Sequence, residues 1–153
     1  AIGNRIYGCD ICQEVCPWNE RFAEATGAPA YRASQDLDGP SLIDLAEILL
    51  STDELGFRKT FKKSAIKRAK RSGLLRNICI ALGNWGAPEA VTTLLRALSD
   101  MEPLVRGHAA WALGQIGSSS ARSALSEKLT SEEDAWVRTE ISAAIEAQDS
   151  SSL

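Results

Sequence analysis

From residue 41 onward, apolar side chains recur at helical spacing, and no sustained apolar/polar alternation or Asn-Gly or Asp-Gly turn marks a strand or hairpin. Pro40 leads into SLIDLAEILL, where Ser41 is a capping residue with Asp44 three positions later. The next start pairs Ser51 with Glu54 as a capping box, and Leu50 and Leu55 occupy the staple positions around it. Pro88 and Pro103 each sit where a helix would take its first turn. The pattern predicts a mainly α chain. Residues 20–40, with Gly27, Pro29, Gly39 and Pro40 and no steady period, read as an irregular connector.

The helical half repeats itself. ALGNWG at 81–86 returns as ALGQIG at 112–117, a shift of 31, and LVRGHAAWAL at 104–113 returns more faintly as WVRTEISAAI at 136–145, a shift of 32. With the glycines aligned, Arg76 falls one place out of register against Arg106. Second helices run between the copies. One carries Val91, Leu94, Leu95 and Leu98 on one face, and the other carries Ala121, Ala124, Leu125 and Leu129. A helix pair cannot bury its stripe alone, so consecutive pairs stack into a solenoid. Pro103, Val105, Arg106, Ala109, Ala112, Leu113 and Gly114 resemble the consensus of HEAT-like repeats, and Gly114 and Gly117 suit a helix end. The organisation expected is a cysteine-bearing segment with its connector at 1–40, capping helices at 41–73, HEAT-like repeats at 74–147 and a flexible tail at 148–153.

Composition adds a core and removes a membrane. With 153 residues, 44% of them apolar, the chain suits one domain of ordinary size. It shows no secretory signal and no apolar run near the length of a span, so a cytoplasmic protein with no membrane partner is expected. The start at Ala1, close to the best motif, leads to the expectation of a fragment that has lost an amino-terminal portion.

Charge is distributed more unevenly than the net −3 suggests. Between Glu54 and Glu89 no acidic residue occurs, while Arg58, Lys59, Lys62, Lys63, Lys67, Arg68, Lys70, Arg71 and Arg76 supply nine of the seventeen basic residues. The remainder holds eight basic residues against all twenty acidic ones, a net −12. Phe57, Phe61, Ala65, Ile66 and Ala69 interleave with the basic residues and place them on packed helices. A charge run is often only a solvated face. The skew favours a polyanion instead, with nucleic-acid phosphates ahead of a membrane surface or an acidic protein.

The sharpest chemistry lies in YGCDICQEVCPWN, where Cys9, Cys12 and Cys16 followed by Pro17 read C-x2-C-x3-C-P. This spacing matches the end of the bacterial ferredoxin run, whose last cysteine ligates the other of two clusters. Ile6 stands where a further cysteine would complete that run, so other ligands must come from elsewhere. Zinc, which takes four protein ligands in structural sites, would need a missing partner too. Cys79, between Ile78 and Ile80, reads as a small buried hydrophobe. His108 reads as structural or surface, and Trp85, Trp111 and Trp136 as core rather than as stacking platforms for bases. For Tyr7, packing and function stand open.

Taken together, YGCDICQEVCPWN, then FKKSAIKRAKRSGLLRNICIALGN, then the repeats, resemble the carboxy-terminal half of the epoxyqueuosine reductase family over roughly residues 1–145. The resemblance implies a bacterial enzyme with a cobalamin domain, a ferredoxin-like domain holding two [4Fe–4S] clusters, and helical repeats that help hold tRNA. It implies reduction of epoxyqueuosine to queuosine at the wobble position in the tRNA anticodon region, fed by an electron donor protein or reductant. On that basis Cys9 and Cys12 ligate the cluster nearer cobalamin and Cys16 the other, Pro17 fixes the turn, and Trp18 packs beside the clusters. In that family a cysteine from an earlier segment fills the place of Ile6. The cobalamin pocket and the general acid lie outside this sequence, so no catalytic residue is assigned within it. Two other readings are a corrinoid or flavin iron–sulfur enzyme with the same ferredoxin half, and a non-enzymatic HEAT-like binding module with a zinc site.

Overall fold

Gly86 and Gly117 set where the two clearest repeat helices stop. Each adopts a left-handed conformation, φ 70° and 68°, that a side chain would disfavour. The Gly86 amide donates to the Leu82 carbonyl and the Gly117 amide to Leu113, both at 3.1 Å, closing the final turns. The computed structural model describes residues 5–25, 27–28 and 41–150. The expected connector therefore lies outside the described residues over 29–40, as does the expected tail over 151–153.

Nine α-helices occur among the described residues: α1 (Ile11–Glu14), α2 (Pro17–Phe22), α3 (Leu42–Leu50), α4 (Glu54–Thr60), α5 (Lys70–Trp85), α6 (Val91–Ala97), α7 (Pro103–Ile116), α8 (Ser119–Ser131) and α9 (Ala135–Ser150). Short 3-10 turns at Ala65–Ala69 and Pro88–Ala90 lead into α5 and α6. No strand occurs among the described residues, and no helix there is long and apolar enough to cross a membrane. The mainly α expectation holds. Of the expected ferredoxin-like segment, the described part is two short helices.

The helices form two layers. α5, α7 and α9 pack side by side, while α3, α6 and α8 lie against them. Leu74, Leu75, Ile78 and Leu82 from α5, Val105 and Leu113 from α7, and Val137 and Ile141 from α9 are fully buried between the layers. Leu94 and Leu125 meet them from the second layer, as their helical spacing predicted. Close approach within the first layer depends on two glycines. A Cβ at Gly83 would lie 2.9 Å from the Ala112 Cα, and one at Gly114 would lie 2.8 Å from the Ala144 Cβ and 3.0 Å from its Cα. Gly114 therefore serves helix packing inside α7, not a helix end.

Three boundaries differ from expectation. The Ser41 capping box forms, with the Asp44 amide 3.1 Å from the Ser41 Oγ. Ser51, however, ends α3, and Asp53 caps α4 by accepting from the Gly56 amide at 2.7 Å. The Glu54 carboxylate accepts instead from the Arg71 amide at 3.0 Å, and Leu55 is exposed, so no staple forms. The expected break between 73 and 74 falls inside α5. At the far end α9 continues through Ser150, anchored by the buried Gln148, whose Nε2 donates to the Leu113 carbonyl at 3.2 Å.

Candidate functional site

Cys9, Cys12 and Cys16 lie on a turn-rich segment that brings thiols to the surface. Gly8 and Asp10 flank Cys9 with left-handed φ of 66° and 35°, so the backbone reverses sharply at the first ligand position. Cys12 sits in α1, and Cys16 caps α2 immediately before Pro17. Cys9 and Cys12 are exposed, Cys16 is half-buried, and none is in a disulfide. Three exposed or half-exposed free thiols within eight residues fit iron–sulfur ligation by donor type. Among the described residues no group of three or more His, Cys, Asp or Glu side chains stands together as a metal site. Trp18 stacks on Phe22 with ring centroids 5.2 Å apart and is largely exposed. Cys79 stands apart: it is buried, and its thiol is pushed up to about 12, first by burial and then by the negative charge of Asp100.

The basic window divides into two sets. Arg58, Lys59, Lys62, Lys63, Lys67, Arg68 and Lys70 are exposed on α4, the turn that follows it, the 3-10 segment leading into α5, and the first residue of α5. Phe57 and Phe61 anchor this surface, buried with rings 4.8 Å apart. Arg76 is half-buried, with Nε and Nη2 donating to the Asn77 Oδ1 at 3.0 and 2.9 Å. Arg71 departs from the expectation of a phosphate contact. It is 8% exposed, Nε donates to the Leu49 and Thr52 carbonyls at 2.9 and 2.6 Å, and the guanidinium pairs with Asp100 at 3.2 and 2.5 Å. A guanidinium with these partners is structural.

Arg71 belongs to a ladder. Arg106 in α7 donates to the Asp100 and Met101 carbonyls at 3.0 and 3.1 Å and pairs bidentately with Glu132 at 2.8 and 2.6 Å. Arg138 in α9 donates to the Leu129 and Glu132 carbonyls, both at 3.1 Å. Each arginine thus ties the start of one first-layer helix to the end of the preceding second-layer helix. Arg71, not Arg76, is the counterpart of Arg106. The Arg106 guanidinium, followed by the Asp134 amide and Lys128, holds the Glu132 carboxyl down to about 2 against the opposing effect of burial.

Two contacts missed by sequence reasoning join the cysteine segment to the basic window. The Tyr7 hydroxyl donates to the Ala65 carbonyl at 2.7 Å, and the Asn77 Nδ2 donates to the Ile6 carbonyl at 2.7 Å. Asn77 follows Arg76 in the LRN string, the one sequence signal pointing to it. His108 is structural, its Nδ1 bonded to the Leu104 carbonyl at 2.9 Å. Trp111 is half-buried, but Trp85 is 51% exposed and Trp136 41% exposed, which corrects the expectation that all three are core. Trp136 lies over Gly107, where a Cβ would come within 2.5 Å of its Cζ3, and its ring sits 5.6 Å from that of His108.

Residues 63–146 match the family of HEAT repeats. Among curated proteins, the chain is 43% identical over 117 residues to epoxyqueuosine reductase of Xanthomonas campestris pv. campestris, covering 76% of this chain and 32% of that protein. It is 40% identical over 114 residues to epoxyqueuosine reductase of Escherichia coli K12, covering 74% and 29%. It therefore spans about a third of the length of these relatives. A crystal structure of epoxyqueuosine reductase with an epoxyqueuosine-modified tRNA-Tyr stem loop superposes with a TM-score of 0.83 at 31% identity, over 97% of this chain and 38% of that one. The Bacillus subtilis enzyme superposes with a TM-score of 0.76 at 31% identity, over 95% and 38%.

Proposed function

The chain belongs to the HEAT-repeat family, and from that premise we propose that it is the tRNA-holding and cluster-ligating part of an epoxyqueuosine reductase, a cytoplasmic enzyme that reduces epoxyqueuosine in the tRNA anticodon region to queuosine. The observation that carries this reading is that Ile6 and Tyr7, just ahead of Cys9, are hydrogen-bonded to Asn77 and to Ala65 of the basic window. An electron-transfer protein acting on a small molecule has no need of that surface.

Cys9 and Cys12 would hold one [4Fe–4S] cluster and Cys16 the second, with the remaining ligands from outside this sequence. When bound, the clusters supply electrons one at a time toward cobalamin, drawn from a reductant or donor protein, for the epoxide reduction. This chain's residues do the holding. Arg58, Lys59, Lys62, Lys63, Lys67, Arg68, Lys70 and Arg76 meet RNA phosphates, which fix position and register without reading sequence. The ladder keeps α5 rigid beneath them, so the RNA is held at a fixed place relative to the cysteine segment.

The test is iron and sulfide content together with conversion of epoxyqueuosine-containing tRNA, using the full-length protein prepared anaerobically. About eight iron and eight sulfide per chain, with queuosine detected by mass spectrometry of tRNA digests, is the expected result. One zinc without sulfide, or clusters without turnover, overturns the proposal.

A further inference from the structure

We infer that the groove between α5, α7 and α9 is a base-binding site: an unpaired RNA base, guanine ahead of the others, stacks on Trp136 with its edge turned to the Glu140 carboxylate. The inference rests on the proposed function above and adds, to the holding of phosphates, a place for a base.

The groove has a volume of about 270 Å³ and is lined by Ile80, His108, Trp111, Trp136 and Glu140, all from first-layer helices. Its aromatic walls are seated. Trp136 occupies the notch that Gly107 leaves in α7, and Trp111 lies over Gly83 of α5, where a Cβ would come 2.8 Å from its Cζ3. Both indoles thus lie against the preceding first-layer helix. His108, fixed by its bond to the Leu104 carbonyl, stands beside the Trp136 ring. An exposed indole already held in one position receives a flat partner with little further loss of side-chain freedom.

The polar groups decide which partner fits. No lysine or arginine lines the groove, and the Glu140 carboxylate there has no hydrogen-bond or ion-pair partner among the described residues. A phosphate is therefore turned away from the groove itself, while a flat ring with N–H donors on its edge is admitted. An ionised carboxylate only accepts, and it does so through two oxygens. Guanine presents its N1–H and N2 amino group side by side and satisfies both. Adenine, cytosine and uracil have no such pair of donors on the same edge. Stacking on an aromatic side chain with hydrogen bonds to that edge is the general way in which unpaired RNA bases are held.

The phosphate that accompanies such a base has a holder close by. Arg76 stands one turn before Ile80 on the same side of α5, about 6 Å along the helix axis. Its Nε and Nη2 share the Asn77 Oδ1, and a guanidinium has five N–H donors, so others remain for a phosphate oxygen. The groove is thus continuous with the basic window. Cations toward the start of α5 take the backbone, and the indoles on α7 and α9 take the base, the pairing of charge with aromatic faces that single-stranded RNA requires.

The experiment uses the full-length protein with an anticodon stem–loop RNA as the probe, read by fluorescence anisotropy over a range of salt. Trp136→Ala should weaken binding about 5- to 150-fold, the range for removing one aromatic from beneath a base. The salt slope should stay unchanged, because no phosphate contact is lost. Trp136→Phe keeps a ring face and should bind close to wild type, and Trp85→Ala, which removes an exposed indole outside the groove, should have no effect. Replacing the unpaired loop guanines by inosine, which lacks the N2 amino group, should weaken binding to the wild type, and this loss should shrink in Glu140→Gln. If circular dichroism shows Trp136→Ala unfolded, the inosine comparison in Glu140→Gln carries the test. Wild-type affinity in folded Trp136→Ala, no inosine effect on the wild type, or an undiminished one in Glu140→Gln overturns the inference and leaves the proposed function standing. No RNA binding by the wild-type protein overturns both.

Discussion

Arg71 and its neighbours Lys67 and Arg68 are alike in charge and close in sequence, yet their substitutions should fail in opposite assays. Arg71→Gln removes a guanidinium that serves the Leu49 and Thr52 carbonyls and both oxygens of Asp100, whose side chain is 4% exposed. Breaking a buried pair from one side strands the other charge and costs about 3–5 kcal/mol, a large part of the roughly 5–15 kcal/mol that holds a domain together. Lys67→Gln and Arg68→Gln alter exposed side chains and should change stability by no more than about 0.5 kcal/mol. RNA binding reverses the order. Each phosphate contact contributes about 0.7–0.9 to the slope of log affinity against log salt, so the Lys67/Arg68 double variant should flatten that slope by roughly 1.5. Arg71→Gln should leave the slope unchanged at a temperature where it is folded. Urea denaturation supplies the first axis and anisotropy at several salt concentrations the second. Asp100→Asn separates the alternatives further. If Arg71 met a phosphate, freeing it from Asp100 would steepen the slope; if it is structural, the variant loses stability alone. A flattened slope with intact stability in Arg71→Gln would refute the reasoning.

The remaining predictions concern the scaffold and the thiols. The folded Glu132 carboxyl is held near about 2, below its ordinary 4.5, so its contribution to stability is complete above pH 4.5 and is lost as the pH falls toward 2. Glu132→Gln should therefore cost about 3 kcal/mol at neutral pH and close to nothing at pH 2; equal losses in urea titrations at both pH values would sink this assignment. Gly114→Val should destabilise by about 1–3 kcal/mol or more, because the Ala144 Cα it meets is backbone and cannot turn aside; an unchanged thermal midpoint would show that α7 and α9 are not held this closely. In the native metal-free chain, alkylation at pH 8 followed by peptide mass spectrometry should label Cys9, Cys12 and Cys16 and spare Cys79 until the protein is unfolded. Labelling of Cys79 at the rate of the others would contradict its burial.

The solenoid was legible because its signals are local and recur. The 31-residue echo of ALGNWG in ALGQIG marks helix ends that Gly86 and Gly117 do form. What stayed hidden was contact across distance. Nothing in KRAKRSG distinguishes Arg71 from Arg68, since its acid lies 29 residues away and its other partners are backbone carbonyls. Ser51 reads as the cap from its spacing to Glu54, but α3 runs on to Leu50 and takes Ser51 as its own end, so Asp53 caps α4. The tryptophans misled for a related reason: Trp85 and Trp136 stand at the end of α5 and the start of α9, where an indole can leave the packed layer. The cysteine spacing was visible, but its seat on the basic window was not, because one of the two bonds ends on Ala65, which carries no polar side chain.

The arginine ladder also bears on how such an array can change its length. Arg71 and Arg106 each reach forward to a carboxylate in the following unit, 29 and 26 residues on, and that unit brings the next arginine with it. Asp100 and Glu132 also accept from backbone amides two residues further along, at 3.0 and 3.1 Å, so each acid is already anchored within its own unit. A duplication of one unit therefore inserts a cation and an anion at matched positions. A loss removes one of each. Either event leaves no buried charge without a counterpart, so units can be gained or lost as charge-neutral cassettes without first evolving a new partner for an orphaned arginine.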